Sequence, residues 1–181
     1  MRKDPRLKDL PPIETARLLL RGLTLSDAED IFEYASDPEV TKYTLWYHHN
    51  SLGDSKRFIS WLLRDNFACW GIVHKGTDKV IGTTFLHSFN FTNRRAEIAF
   101  NIARKYWGQG YATEVAQALI LFGFEYWCLN RIQGSCMVEN IASARVMEKA
   151  GMIFEGTLRK HAYAKGQYHD MKLYSILRDE V

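Results

Sequence analysis

The most regular pattern of polar and apolar positions lies between residues 96 and 123. Residues 96–102 alternate with the period of a half-buried β-strand, whose apolar face consists of Ile98, Phe100 and Ile102. From residue 112 the apolar positions follow helical spacing, at Ala112, Val115, Ala116, Leu119, Ile120 and Gly123. The pattern therefore predicts a strand that leads through a turn into a long helix facing a sheet.

The remaining segments predict an α+β order of elements. Ser26 and Glu29 have capping-box spacing at the start of a short helix, and a second helix is expected near 54–65. Strand-like runs at 69–74 and 79–87 flank a Lys-Gly-Thr-Asp turn, which predicts an antiparallel hairpin, and another turn is expected over 90–95. A strand at 131–138, a helix ending at Gly151 and two strands reaching Leu177 complete the order.

The connections between these elements predict how the strands are arranged. Short hairpin links favour a single, largely antiparallel sheet. The long helix between the fourth and fifth strands forces a parallel neighbour, or a splay, at that position. We therefore expect one mixed sheet in which the fourth and fifth strands are the exception.

The turn before the long helix, Lys105-Tyr-Trp-Gly-Gln-Gly-Tyr-Ala-Thr-Glu114, has the chemistry of a phosphate site. Gly108 and Gly110 lack a Cβ, so a ligand can approach backbone N–H groups that include the unpaired donors of the helix's first turn. The helix dipole and the nearby Arg104 and Lys105 add positive charge, which suits a pyrophosphate. The chain has no P-loop run, and Thr113 occupies the third small position of a dinucleotide fingerprint.

Length and composition favour one domain without a membrane span. The chain has 181 residues, of which 46% are hydrophobic, and a domain near this length buries about 70% of its unfolded surface. We expect one domain over 13–181 and a flexible arm over the charged, proline-rich residues 1–12. No apolar run approaches the roughly 18 to 20 residues of a membrane span. Because the first residues also lack the apolar core of a signal peptide, a cytoplasmic location is expected.

Charge and cysteine usage narrow the possible partners. The formal net charge of +3 comes from lysines and arginines that are interspersed along the chain and not clustered, which argues against a nucleic-acid-binding face. An anionic cofactor is sufficient to account for this charge. Cys69, Cys128 and Cys136 have neither an even count nor metal-type spacing, so reduced thiols are expected. The histidines lack the paired spacing of a zinc site, and we expect no metal. A monomer and a homodimer are both compatible with the sequence.

Several segments, taken in order, resemble the GNAT superfamily of acyl-CoA-dependent N-acetyltransferases. The glycine turn is similar to its motif A, [RQ]-x-x-G-x-[GA], with Lys105 where Arg or Gln is commoner. Segments 14–21, 129–132, 154–158 and 168–170 resemble the RimJ/RimL-like branch, and Glu139-Asn-Ile-Ala-Ser-Ala-Arg-Val-Met-Glu-Lys-Ala-Gly151 matches its E-N-x-x-S-x-x-x-x-x-x-x-G run. The resemblance covers nearly the whole chain. Lys105, and Met152 where a Phe is usual, are departures that remove no group needed for chemistry.

The resemblance implies the GNAT fold and acetyl-CoA as co-substrate. That fold is a single mixed, mostly antiparallel sheet of about seven strands, splayed between strands 4 and 5 to admit the pantetheine arm and flanked by about four helices. The residues then expected to bind the cofactor are Ile102, Ala103, Lys105, Gly108, Gln109, Gly110, Tyr111, Ala112, Asn140 and Ser143. The backbone N–H groups around Ile102 and Ala103 are expected to pair with pantetheine and polarise the thioester carbonyl.

By the same resemblance, Asn140 and Ser143 are placed at the sulfur. Asn140 is expected to contact the pantetheine arm or sulfur region, and Ser143 is the candidate proton donor to the departing thiolate. The alternative is that Asn140 only caps the helix over 141–150 and that Ser143 is only its third residue.

Glu97 is the first candidate for the catalytic base, because it lies on the polar face of its strand near the thioester end. The alternative is a solvated or ion-paired neighbour of Arg94 or Arg95. Some members of the ribosomal branch carry an acid just before the tyrosine that is Tyr163 here, whereas this chain has Ala162.

Aromatic residues are the candidates for the acceptor pocket. Trp46 and Tyr47 lie between the first two predicted helices, where the family shapes this pocket, and Tyr163 and Tyr168 are expected near its mouth together with His161. Each of these residues could instead pack against the edge of the core, since large aromatic side chains bury apolar area wherever they lie.

These features predict an acetyl-CoA-dependent N-acetyltransferase that works by direct attack of an amine in a ternary complex. An α-amine, with a pKa of about 7.7 to 8, is more often neutral at pH 7 than a lysine amine near 10.4, which favours the N-terminus of a ribosomal or other protein as acceptor. A small amine is the nearest alternative, although the 41–50 loop contains no Asp or Glu. The other alternative function is a regulatory module that binds CoA without catalysing transfer.

Overall fold

A single sheet organises the part of the chain described by the computed structural model, residue 7 and residues 9–64 and 67–181. Its eight strands are β1 (Ile13–Glu14), β2 (Leu18–Arg21), β3 (Ala68–His74), β4 (Lys79–Asn90), β5 (Arg95–Ile102), β6 (Arg131–Met137), β7 (Ile153–Ala164) and β8 (Gln167–Leu177). Their spatial order is β1-β2-β3-β4-β5-β6-β8-β7. Neighbouring strands are antiparallel except β5 and β6, which are parallel.

Helices cover both faces of this sheet. The described helices are α1 (Ala28–Ala35), α2 (Pro38–Thr41), α3 (Leu52–Arg64), α4 (Tyr111–Tyr126) and α5 (Ile141–Lys149). One apolar cluster joins α4 and α5 to the sheet, and a second joins α1 and α3 to the other face. Because both faces are covered, every residue of β3 except His74 is buried. The second predicted helix begins at Leu52, and its expected end at residue 65 lies outside the described residues.

The apolar stripe predicted from residue 112 faces the sheet. Val115, Ala116, Leu119 and Ile120 are each at most 2% exposed. The helix approaches the strands closely at Gly123, where a Cβ would lie 2.6 Å from Ile132 Cδ1. The periodicity of the sequence therefore identified the buried face of α4 correctly.

The predicted α+β class and single mixed sheet are confirmed, with one more strand and one more helix than expected. The additional strand is the two-residue β1, which pairs with β2 at Ile13 and Glu14. The additional helix is the four-residue α2, where Pro38 is at the first position and Asp37 Oδ1 accepts the Glu39 N–H at 3.0 Å. Such short elements carry too few residues to show periodicity.

The predicted flexible arm over 1–12 lies partly outside the described residues, which exclude 1–6 and 8. Leu7 is 1% exposed, and Trp70 Nε1 donates to the Pro11 carbonyl at 3.1 Å. The arm therefore stays a prediction for residues 1–6 and 8, whereas Leu7 and Pro11 contact the core.

Two further properties concern the described residues. No helix formed by residues 9–64 or 67–181 combines the length and the apolar character needed to cross a bilayer. Within the same ranges, no group of three or more His, Cys, Asp or Glu side chains is arranged to hold a metal ion.

We expect Gly82→Ala to destabilise the fold. A Cβ on Gly82 would lie 2.2 Å from the backbone oxygen of Asn101, and Asn101 is paired with Thr83 in the β4–β5 ladder, so that oxygen cannot move away without disturbing the ladder. The free energy of unfolding, measured by urea denaturation, is expected to fall by about 1–3 kcal/mol or more. Gly22→Ala is the matched control, because a Cβ there meets nothing within 4 Å and its effect is expected within about 0.5 kcal/mol. Equal unfolding free energies for the two variants would contradict this packing.

Candidate active site

The glycine turn joins the end of β5 to the start of α4. A short 3-10 helix over Arg104–Tyr106 comes first, followed by Gly108 and Gly110 in the left-handed region, with φ of +73° and +82°. A Cβ at Gly108 would meet nothing within 4 Å, so this side of the turn is open. The first-turn amides of α4 have no carbonyl one turn before them. The turn thus combines an open approach with unpaired donors, as an anion site requires.

Side chains within the turn hold its shape. Gln109 Nε2 donates to the Lys105 carbonyl at 2.9 Å. Tyr111 is 8% exposed, and its hydroxyl is 3.0 Å from His74 Nε2. Ala112 packs partly buried against the main core. The side chains of Tyr111 and Ala112 therefore anchor α4 to the core. Only their backbone N–H groups, at the start of the helix, could contact a ligand there.

Lys105 is placed differently from the expectation of a phosphate-binding cation. Its Nζ lies 3.9 Å from Glu33 Oε1 on α1, beside a cavity of about 230 Å³ between α1 and the ends of β4 and β5. Lys79 also pairs with Glu33, at 2.8 Å, and Arg104 pairs with Asp37 at 3.1 Å. The cations before the turn are thus directed toward acids of the α1 side.

The gap between β5 and β6 begins close to Glu97. The two strands pair only from Arg95 with Arg131 to Glu97 with Gln133. Beyond this point β5 continues to Ile102 beside β4 alone. The predicted splay is therefore located between β5 and β6, and the pantetheine arm would enter along the unpaired edge of β5.

Of the two backbone N–H groups predicted to bind pantetheine, those of Ile102 and Ala103, one already has a hydrogen-bond partner within the sheet. The Ala103 N–H donates to the Ile81 carbonyl at 2.8 Å, so it completes the β4 side of the sheet. Adjacent amides of a strand point in opposite directions, which directs the Ile102 N–H toward the gap. On the same side, Trp107 Nε1 donates to the Ile102 carbonyl at 2.7 Å. Trp107 is thus a residue of the gap that the glycine pattern did not single out.

Asn140 and Ser143 meet at the start of α5. The Asn140 side-chain oxygen accepts the Ser143 N–H at 3.1 Å, so the capping role is present. Nearby, the thiol of Cys136 is buried. Burial raises the pKa of that thiol to about 11, against the opposing effects of Lys172 and Ser143. The thiol is therefore protonated at neutral pH.

Glu97 accepts hydrogen bonds from neutral groups of β6. Ser135 Oγ donates to Glu97 Oε1 at 3.0 Å and Gln133 Nε2 donates to Glu97 Oε2 at 3.4 Å. Arg131, which forms a bidentate pair with Glu155 at 2.6 Å, also donates to Gln133 Oε1 at 3.3 Å and so orients that amide. The alternative ion pair with Arg94 or Arg95 does not form. The carboxylate is half-buried where β5 and β6 separate.

His87 is a second titratable group on this face. It is the cross-strand partner of Glu97 in the β4–β5 ladder, and its ring lies 5.5 Å from that of Phe85 and 6.0 Å from that of Phe67. Burial lowers the pKa of His87, while the charge of Glu97 acts in the opposite direction. Burial therefore favours the neutral form of the imidazole. The sequence missed His87 because its proximity to Glu97 depends on strand register.

A cavity of about 250 Å³ lies at the end of β6. It is bounded by the segment after α2, the end of β6 and the start of β8, and its lining residues are Lys42, Tyr43, Met137, Glu139, Gln167 and His169. The Lys165 amino group donates to the carbonyls of Thr41 and Lys42, which ties the β7–β8 hairpin to this segment. Glu139 immediately precedes Asn140, so the cavity adjoins the predicted sulfur position.

The four aromatic candidates for the acceptor pocket do not line this cavity. Trp46 packs against His49 and Phe58, with ring centroids 5.2 and 5.4 Å apart. Tyr47 is 65% exposed, as are Tyr163 and Tyr168. The last two contact each other at 4.9 Å. Their cross-strand pair follows that of Ala162 with His169, so by alternation they lie on the opposite face of the hairpin from His169.

Comparisons with known proteins agree with this architecture. Residues 17–153 match the model of the acetyltransferase (GNAT) domain. The uncharacterized N-acetyltransferase YoaA of Bacillus subtilis is 36% identical over 177 residues, covering 93% of this chain and 97% of YoaA. The ribosomal-protein-serine acetyltransferase of Escherichia coli is 30% identical over 102 residues, 56% of this chain and 57% of the relative. The crystal structure of a GNAT-family acetyltransferase from Bacillus anthracis superposes with a TM-score of 0.84, at 31% identity, over 93% of this chain and 99% of the other.

Gly110→Ala is expected to weaken CoA binding. A Cβ at a φ of +82° is strained by roughly 1–2 kcal/mol, and relief of that strain rotates the amides that open α4. We expect the dissociation constant for CoA, measured by calorimetry, to rise about tenfold, the equivalent of ~1.4 kcal/mol. Gly166→Ala carries similar strain, at a φ of +84° in the β7–β8 turn, and is expected to leave CoA affinity unchanged. Equal affinities for the two variants would exclude the glycine turn as the cofactor site.

Proposed function

Because the chain belongs to the GNAT acetyltransferase family, in its RimJ/RimL-like branch, and is therefore an acetyl-CoA-dependent N-acetyltransferase, we propose that its acceptor is the N-terminal α-amine of a ribosomal or other protein. The observation that carries this proposal is the cavity at the end of β6. It combines a small volume with one acidic and one basic wall residue, next to Asn140.

The size of the cavity favours the end of a large molecule over a whole small one. Its volume of about 250 Å³ is below the roughly 300–1,000 Å³ of a pocket that encloses a drug-sized ligand. An N-terminal residue occupies such a space while the rest of its protein stays in solvent. An aminoglycoside would have to leave most of its rings outside.

The charges of the cavity favour an α-amine over a polyamine. Glu139 is its only carboxylate and Lys42 its only lysine among the described residues that line it. A polyamine carries several positive charges and would leave some of them unpaired beside Lys42. An N-terminal residue has one ammonium group for Glu139 and a carbonyl oxygen that can accept from Lys42. The relationship to the Escherichia coli ribosomal-protein-serine acetyltransferase supports the same class of acceptor.

The proposed reaction is a direct attack on the thioester. The Glu97 carboxylate takes one proton from the bound ammonium group, the neutral nitrogen then forms a bond to the acetyl carbon, and the carbon–sulfur bond breaks. The Ile102 N–H is directed to stabilise the oxyanion. The second proton that the nitrogen loses passes to the departing thiolate through the Ser143 hydroxyl or through water held by it.

The state of Cys136 supports transfer without a covalent enzyme intermediate. A cysteine attacks a thioester as its thiolate, and burial raises the pKa of Cys136 to about 11. At neutral pH this thiol is protonated and inert. The acetyl group therefore passes directly from CoA to the acceptor in a ternary complex.

The proposal is tested by measuring release of the CoA thiol from acetyl-CoA with a panel of acceptors. The panel contains unblocked peptides, the same peptides with the α-amine acetylated and an internal lysine retained, spermidine, an aminoglycoside and small amines. We expect turnover with unblocked peptides only, and none with heat-killed protein. Turnover confined to spermidine, the aminoglycoside or a small amine would overturn the acceptor assignment. CoA binding with no turnover on any acceptor would favour a binding module.

Glu97→Gln is expected to lower kcat by about 10²–10⁴-fold, the usual contribution of a general base. The affinity for CoA is expected to stay the same, because Glu97 contacts β6 and not the glycine turn. The residual rate is expected to rise with pH up to the amine pKa of about 8, since a deprotonated amine no longer needs the base. Glu125→Gln, a change of the same type at an exposed position of α4, is the matched control. A wild-type kcat in Glu97→Gln would exclude Glu97 as the base.

A further inference from the structure

Arg17 connects the start of β2 to the glycine turn, although the two lie far apart in the sequence. Its Nη1 donates to the Gln109 carbonyl at 2.9 Å. Its Nε and Nη2 both lie 2.7 Å from Glu114 Oε2, and its guanidinium carbon is 4.2 Å from the centre of the Tyr111 ring. One side chain thus contacts three residues of the turn and of the first turn of α4.

Glu114 holds this arginine in a fixed orientation. Besides the guanidinium, its carboxylate accepts from Thr15 Oγ1 at 2.6 Å and from the Arg17 N–H at 2.9 Å. Burial raises the pKa of Glu114, but the hydrogen bonds from Thr15 and Arg17 and the charge of Arg17 outweigh it and hold the pKa below its usual value. The group is therefore ionised at neutral pH, and its side chain is only 16% exposed. Two nitrogens of the Arg17 guanidinium therefore bind Glu114, and the third, Nη1, binds the glycine turn.

The bond to Gln109 fixes the peptide between Gln109 and Gly110. This peptide is trans, so its carbonyl and its N–H point in opposite directions. Arg17 holds the carbonyl on the β2 side, which turns the Gly110 N–H to the other side of the turn. Gly110 itself, with a φ of +82°, lacks the Cβ that would oppose this rotation.

We propose that Arg17 is a positioning residue for the cofactor, which aims the Gly110 N–H at the pyrophosphate by holding the Gln109 carbonyl. This inference rests on the proposed function, because it needs the glycine turn to bind acetyl-CoA. It also explains why a cation whose charge is neutralised by Glu114 lies at the phosphate site. Arg17 acts there through its geometry, whereas a free cation would act through its charge.

The test separates the pyrophosphate from the rest of the cofactor. Arg17→Gln and Arg17→Lys are compared with wild type for acetyl-CoA and for S-acetylpantetheine, which lacks the pyrophosphate. We expect KM for acetyl-CoA to rise about tenfold in both variants, equivalent to ~1.4 kcal/mol, within the range of one hydrogen bond to a charged group. The kcat with acetyl-CoA and the kcat/KM with S-acetylpantetheine are expected to stay within about twofold of wild type.

Several results would overturn the proposal. Equal losses with both thioesters would indicate general damage to the fold, and unchanged KM values would remove Arg17 from the cofactor site. Wild-type KM in Arg17→Lys would show that charge alone matters, because lysine cannot hold the carbonyl and Glu114 together. Lys75→Gln is the matched control: its ammonium contacts Glu14 and the Thr15 carbonyl on the same side of the sheet without touching the turn. It is expected to leave both thioesters unaffected.

Two measurements keep this test independent of the acceptor. Calorimetry with CoA alone is expected to show the same tenfold loss of affinity in Arg17→Gln, whether or not an acceptor is turned over. Thermal unfolding without ligand reports whether the variant is folded, and Thr15→Val serves as a milder variant, since it loosens Glu114 but leaves Arg17 in place. It is expected to show a smaller rise in the CoA dissociation constant than Arg17→Gln. Unchanged CoA affinity in Arg17→Gln overturns the positioning role, whereas silence across all acceptors overturns only the proposed function.

Discussion

The structure depends on the limited pairing between two parallel strands. Backbone groups inside a sheet need partners, because a buried N–H or C=O left unpaired costs as much as a lost hydrogen bond. β5 and β6 satisfy one another only as far as Glu97 and Gln133, and the edge of β5 beyond that point is left for another molecule. The glycine turn follows this edge directly along the chain. The opening in the sheet and the proposed anion site at the helix end are therefore consecutive along the chain, as a single path for an extended, phosphate-bearing ligand requires.

Two glutamates, Glu97 and Glu114, have different surroundings. Glu114 receives hydrogen bonds from a hydroxyl, a backbone amide and a guanidinium, and its charge is committed to holding the turn. Glu97 has a hydroxyl and an amide as partners and an imidazole across the ladder. Arg131, which lies on the same face of β6 as Gln133, forms an ion pair with Glu155 instead. Among the described residues Glu97 therefore has no cationic partner, whereas Glu114 has one, and this distinguishes the two residues chemically.

The features that followed from the sequence are those that local patterns encode. The strand over 96–102, the stripe of α4, the glycine turn and the cap at Asn140 depend on neighbours within a few residues, and each was found as expected. Contacts set by register or by distant pairing could not be predicted in this way. Arg17 lies 97 residues from Glu114, and His87 opposes Glu97 only because a hairpin aligns them. The aromatic candidates for the acceptor pocket followed from the family resemblance, whereas the proposed acceptor cavity is lined by Glu139, His169 and their neighbours from three separate segments.

The tie made by Lys165 has a consequence for which part of the chain would hold the acceptor. Its ammonium group bridges to a carbonyl 124 residues away, so two stretches of chain that contribute nothing to the glycine turn form one wall of the cavity. In the proposed function, the acceptor and the acyl donor are therefore held by different parts of the chain, and a substitution in this wall would alter the acceptor without touching the glycine turn.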